Sequence, residues 1–240
     1  MNIHHDSFMR LEELGARIPS YYPTFDFAGA FINESHEYYS ACPIRDGILI
    51  EIKDHPSSGS VIEGWLRRED SLKLYEIAYC VAGDILELGS YHGLSTSILS
   101  RANADSPNKK NIYSVDLAPD NVAMTNHHLR RMELDKHVTT ICGDALSVVK
   151  QLASRGARFE FVFVDHSHSY EAVYSVCREL GTVMVDGGFC LFHDFNDGRN
   201  READDAEYGV YQGVVEGLDS REFEFYGVYG CAALYRFHAE

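Results

Sequence analysis

Several short runs of this chain end in groups that can do chemistry. Glu87-Leu88-Gly89-Ser90-Tyr91-His92-Gly93 has the pattern E-x-G-x-x-x-G, with Ser95 just beyond it. Asp116 closes one apolar run, and Asp144-Ala145 follows another. Asp165-His166-Ser167-His168 and His193-Asp194 set carboxylates beside imidazoles. Glycines in such a turn let a ligand approach the backbone without meeting a Cβ. An acid about 20 residues further on is where an α/β nucleoside site accepts bonds from both ribose hydroxyls. Carboxylates with imidazoles nearby suit a divalent cation, and the oxygen-rich set favours Mg²⁺. A dinucleotide fingerprint needs G-x-G-x-x-G, yet Tyr91 fills the slot of the middle glycine, which argues against NAD or FAD.

These groups need a scaffold that brings strand ends together. Asp84–Leu88 reads as a buried strand that stops at Gly89, and Ser95–Ala102 as a helix whose hydroxyls suit its N-terminus. Asn111–Asp116, His137–Ala145, Phe159–Asp165 and Gly187–Asp197 read as further strands. The fourth, Phe-Glu-Phe-Val-Phe-Val, is nearly continuously apolar, as expected of a strand covered on both faces. Helices are expected over Glu69–Val81, from beyond Asp165 to about Leu180, and over Tyr208–Leu218. Glu222–Val228 and Ala232–Phe237 form a closing pair of strands. The sum is a doubly wound α/β sheet, whose ligands sit outside the carboxyl ends of its strands.

Composition narrows the field. A formal net charge of −16 argues against nucleic acid and against an anionic membrane surface. No run approaches a membrane span, and Met1–Asp6 lacks the basic and apolar regions of a signal peptide. The six cysteines are scattered without C-x-x-C spacing, which fits a reduced cytoplasmic protein. Cys142 and Cys190 fall in expected core strands. Residues 1–61 read as an aromatic-rich extension and 62–240 as the main domain. Tyr21, Tyr22, Phe25, Phe27, Phe31, Tyr38 and Tyr39 would pack on that domain or another subunit, or wall an acceptor pocket.

The run Glu87–Ser95 resembles the turn of class I S-adenosylmethionine (SAM) methyltransferases, especially the catechol and macrocin-type O-methyltransferases. The resemblance covers about residues 62–237. It implies a Rossmann-like, mostly parallel sheet with its last strand antiparallel, and an N-terminal extension. It also implies that Glu87, Gly89, Ser90, Tyr91, Gly93, Ser95, Asp116, Asp144, Ala145 and Asp165 hold SAM. In the catechol enzymes the acid ending the fourth strand binds metal, and a lysine three positions later is the general base. Those positions are Asp165 and His168 here, and imidazole can take a hydroxyl proton at neutral pH. The family's second acid falls on Asp194, but its next ligand falls on Phe195, which cannot bind metal. The ion would then rest on Asp165, Asp194 and either His193 or Asn196, or be lost. His193 is the competing base.

The expected activity is O-methylation of a small hydroxylated acceptor, with possible self-association through the extension. Two other classes stay open on the residues alone. One is a cephalosporin-hydroxylase-like or other nucleotide-dependent oxidoreductase. The other is a SAM-binding module without catalysis, which would have no need of Asp165, His168 and Asp194 together.

Overall fold

The computed structural model describes residues 62–66, 68–201 and 208–239. Expectations for residues 1–61, including the aromatic segment and a strand over Asp46–Ile52, lie outside the described residues, as does most of the polar run Asp197–Glu207.

The described chain alternates strand and helix: α1 (Arg68–Cys80), β1 (Ile85–Leu88), α2 (Leu94–Asp105), β2 (Ile112–Asp116), α3 (Pro119–Arg131), β3 (Val138–Cys142), α4 (Ala145–Ser154), β4 (Phe159–Val164) and α5 (Tyr170–Cys177). Then come β5 (Met184–Phe192), α6 (Val210–Gly217), β6 (Phe223–Tyr229) and β7 (Ala232–Phe237). They form a seven-stranded sheet in the order β3-β2-β1-β4-β5-β7-β6. β7 runs antiparallel to both its neighbours, and the pairings from β3 to β5 are parallel. The chain order reverses between β1 and β4, and α/β sheets bind ligands outside the strand ends at such a point.

The two-residue period of the strands divides the core in two. Ile85, Phe161, Phe163, Phe189 and Leu191 pack on one face with Leu74, Ile77, Ile98 and Leu99 from α1 and α2. Leu86, Leu88, Val162, Val164, Cys190 and Phe192 pack on the other with Val149, Val173, Val176 and Val214 from α4, α5 and α6. All six residues of β4 are buried, as a central strand covered on both faces requires.

Local readings shift in instructive ways. α2 starts at Leu94, and Gly93 precedes it with φ 90° and without a side-chain cap. Ser95, Thr96 and Ser97 are buried instead of capping the helix end. β3 stops at Cys142, and Asp144 caps α4, its Oδ1 accepting from the Ser147 N–H at 2.8 Å. β3 is an edge strand, so Cys142 is exposed, against the expectation of a core position, whereas Cys190 in β5 is buried. α5 begins only at Tyr170, capped by Ser169, and ends at Cys177. Among the described residues no helix is long and apolar enough to cross a membrane.

Candidate active site

The first turn of the site is held by contacts within the chain. Gly89 has φ 98°, and a Cβ there would stand 1.9 Å from the Asp165 carbonyl oxygen. The glycine therefore admits the β4 loop. A Cβ on Gly93 would lie 3.0 Å from Thr125 Cα. Tyr91 takes a left-handed φ of 43°. Its N–H donates to Asp116 Oδ2 at 2.8 Å, while Asp116 Oδ1 accepts from the Ala118 N–H at 2.9 Å and Asn121 Nδ2 at 3.0 Å.

Glu87 lies beneath this turn and is fully buried. Its Oε2 accepts from Thr96 and Ser114 hydroxyls, both at 2.6 Å, and Oε1 has no partner. Burial outweighs those bonds and pushes its carboxyl up to about 7.

A cavity of about 1280 Å³ opens at the carboxyl edge of the sheet. Gly89, Ser90, Tyr91, Ser95, Asp116, Asp144, Ala145, Asp165, His168, His193 and Asp194 line it. Glu87 and Gly93 do not, so they shape the turn from behind. Glu63, Trp65, Asn121 and Arg199 also line the cavity and escaped sequence reasoning. Trp65 sits 5.5 Å from the Tyr91 ring. The space exceeds that of one drug-sized ligand, roughly 300–1,000 Å³.

At the far end of the cavity the acids and imidazoles converge. His168 Nε2 lies 3.1 Å from Asp194 Oδ2 and 3.9 Å from Asp165 Oδ1. The His168 ring is part-exposed and stacks on Tyr208 at 5.1 Å. Its hydrogen bond to Asp194 raises its pKa above the usual imidazole value, against the opposing pull of burial. His166, beside it, is pushed down to about 4 by burial and stays neutral.

His193 is buried with both ring nitrogens engaged. Nδ1 stands 3.2 Å from Asp165 Oδ1 and 3.3 Å from Asp194 Oδ2, and Nε2 stands 3.4 Å from Asp70 Oδ2. Burial opposes its charge, but the surrounding carboxylates win and hold its pKa well above the ordinary value. For Asp194 burial is likewise outweighed, here by His168 and His193, so its carboxyl stays well below the usual range. Asp194 itself has a left-handed φ of 58° and lines the cavity.

Ligand-capable atoms of Asp165, His168 and Asp194 lie within 4.8 Å of one another. The Asn196 N–H bonds the Cys231 carbonyl. Phe195 is buried among Tyr211, Phe225 and Tyr235, away from any ligand role. Asp70 on α1 and Cys231 in the β6–β7 turn are further polar members that sequence reasoning missed.

Comparison with known proteins bears on the fold. A family model described as a methyltransferase domain matches residues 86–195. The catechol O-methyltransferase of Niastella koreensis is 31% identical over 87 residues, 36% of this chain. The match spans 38% of that relative's length. The O-methyltransferase from Bacillus cereus, solved in complex with SAH, superposes with a TM-score of 0.63 at 14% identity, covering 84% of this chain and 95% of that one. TomG, an O-methyltransferase of Streptomyces achromogenes involved in tomaymycin synthesis and solved with SAM, gives 0.60 at 18% identity, covering 80% and 89%. At such identities the superpositions speak to the fold. The chain carries the class I methyltransferase fold, and residues 86–195 are the segment that matches the methyltransferase domain family.

Proposed function

We propose that this protein is a SAM-dependent O-methyltransferase acting on a small hydroxylated acceptor. The observation that carries the reading is that one cavity joins the Gly89–Asp116 turn to the His168–Asp194 pair. A nucleoside would lie against the turn and a hydroxyl against the pair. The relatives with bound SAM or SAH support the choice of methyl donor.

SAM would supply an electrophilic sulfonium methyl, so what remains for the protein is positioning and the movement of one proton. Asp116 offers about four lone-pair sites, and three are filled from within the chain. It can take one ribose hydroxyl directly, and the Asn121 amide beside it is placed to meet the other. His168 takes the acceptor proton, with its Nε2 hydrogen bonded to Asp194 so that its other nitrogen receives it. His193, with both nitrogens engaged, holds Asp165 and Asp194 in place.

A divalent ion fits the carboxylate pair. Asp165 and Asp194 would hold Mg²⁺, which would lower the pKa of the acceptor hydroxyl. The oxidoreductase and the non-catalytic module lack comparable support, since the fitted relatives are O-methyltransferases. Incubating the purified chain with SAM and a panel of sugars, catechols and polyketides, with SAH release as the readout, tests the proposal. Tight SAM binding without turnover on any acceptor would leave only the binding module.

A further inference from the structure

We propose that Asp70, His193 and Cys231 form a zinc site in the floor of the cavity. Cys231 Sγ is 3.1 Å from His193 Nε2 and 3.4 Å from Asp70 Oδ2, and His193 Nε2 is 3.4 Å from the same oxygen. The three donor atoms thus make a nearly equilateral triangle. At ordinary zinc–sulfur, zinc–nitrogen and zinc–oxygen lengths, tetrahedral ligand atoms stand roughly 3.3–3.6 Å apart. The fourth position of a tetrahedral zinc would face the cavity, which His193 and Cys231 line.

The donor chemistry points to the same metal. A thiolate, an imidazole and a carboxylate suit zinc far better than Mg²⁺, which takes oxygen ligands. All three residues are buried, which sets the donor atoms away from bulk solvent. The outer contacts have the form metal sites require: His193 Nδ1 faces the Asp165 carboxylate at 3.2 Å, which fixes the tautomer that leaves Nε2 for the ion. The Cys231 N–H donates to Asp70 Oδ1 at 2.9 Å and orients that carboxylate. His193, Asp194 and Cys231 line the cavity, which gives the ion an entry path.

Such a site would clamp three distant parts of the chain: the first turn of α1, the end of β5 and the β6–β7 turn. It does not depend on the methyl-transfer reading, and its three donors, Asp70, His193 and Cys231, are not those of the Mg²⁺ position, Asp165 and Asp194.

The test is metal content of the purified full-length protein by plasma mass spectrometry, as isolated and after incubation with Zn²⁺ and gel filtration. About one zinc per chain is expected in the wild type, in His168→Ala and in Cys142→Ser, and its loss in Cys231→Ala and Asp70→Asn. Should those two variants fail to fold, the wild type loaded with Co²⁺ must show a thiolate-to-cobalt charge-transfer band. A wild type that takes up no zinc, or a Co²⁺ form without that band, overturns the proposal. So does loss of zinc in His168→Ala, which would move the ion to the Asp165–Asp194 pair.

Discussion

The Tyr91 N–H donates to Asp116 Oδ2 at 2.8 Å, so the glycine turn and the end of β2 are one hydrogen-bonded unit. Asp116 is therefore both a candidate ligand contact and a brace for the turn that faces the same ligand.

Asp116→Ala should weaken SAM binding by 10-fold or more and also lower stability by about 1–3 kcal/mol, as donors to a charged acceptor lose their partner. Calorimetric titration with SAM, paired with urea unfolding, separates the two effects. Unchanged SAM affinity in the folded variant would remove Asp116 from the site.

His168→Ala should leave SAM affinity intact and lower turnover by about 10²–10⁴-fold, the usual worth of a positioned base. The base must be neutral to act, and its bond to Asp194 raises its pKa. Turnover should accordingly fall with decreasing pH through a midpoint above the ordinary imidazole value, and Asp194→Asn should move that midpoint down. A His168→Ala enzyme as fast as wild type would return the role to His193 or to solvent.

Mg²⁺ on the carboxylate pair would be held weakly enough to leave on dialysis. Activity should drop in Mg²⁺-free buffer and return on addition of the ion, and Asp194→Ala should not respond. Full activity after dialysis would assign the proton transfer to His168 without metal help.

Glu87 sets a pH dependence of stability. Its folded pKa, about 7, lies above that of an exposed glutamate because of burial. The stability it contributes is complete below the unfolded pKa near 4.5 and is lost as pH rises through 7, a change on the order of 3 kcal/mol. Glu87→Gln should abolish that component. Unfolding free energies of both forms between pH 4.5 and 8 should converge toward, or cross in favour of, the glutamine variant as pH rises. A constant difference would show that Glu87 does not titrate in this range.

Gly89→Ala should cost 3 kcal/mol or more, since its Cβ would meet the Asp165 carbonyl in a backbone conformation that L residues avoid. Thermal unfolding measures it, and a loss below 1 kcal/mol would mean that the β4 loop can yield.

The sequence by itself determined the strands and the acids at the strand ends, while the switch point came from the topology. Alternation and apolar runs report burial directly, and parallel order forces strand ends to one edge. It could not reveal that Cys142 is exposed, because edge position belongs to the topology and not to the residues of β3. Nor could it separate Glu87 from the ligand contacts, since a buried acid under a turn and an acid facing a ligand share one local pattern. Asp70 and Cys231 carry no motif and stand 161 positions apart. Only the packing of α1 against the β6–β7 turn brings them to His193. Tertiary structure likewise decided the partners of the two histidines: His168 keeps one face to the cavity, while the core surrounds His193 with acids. Local spacing places a residue on an element, but burial and charge pairing arise between elements, and those decide what each imidazole can do.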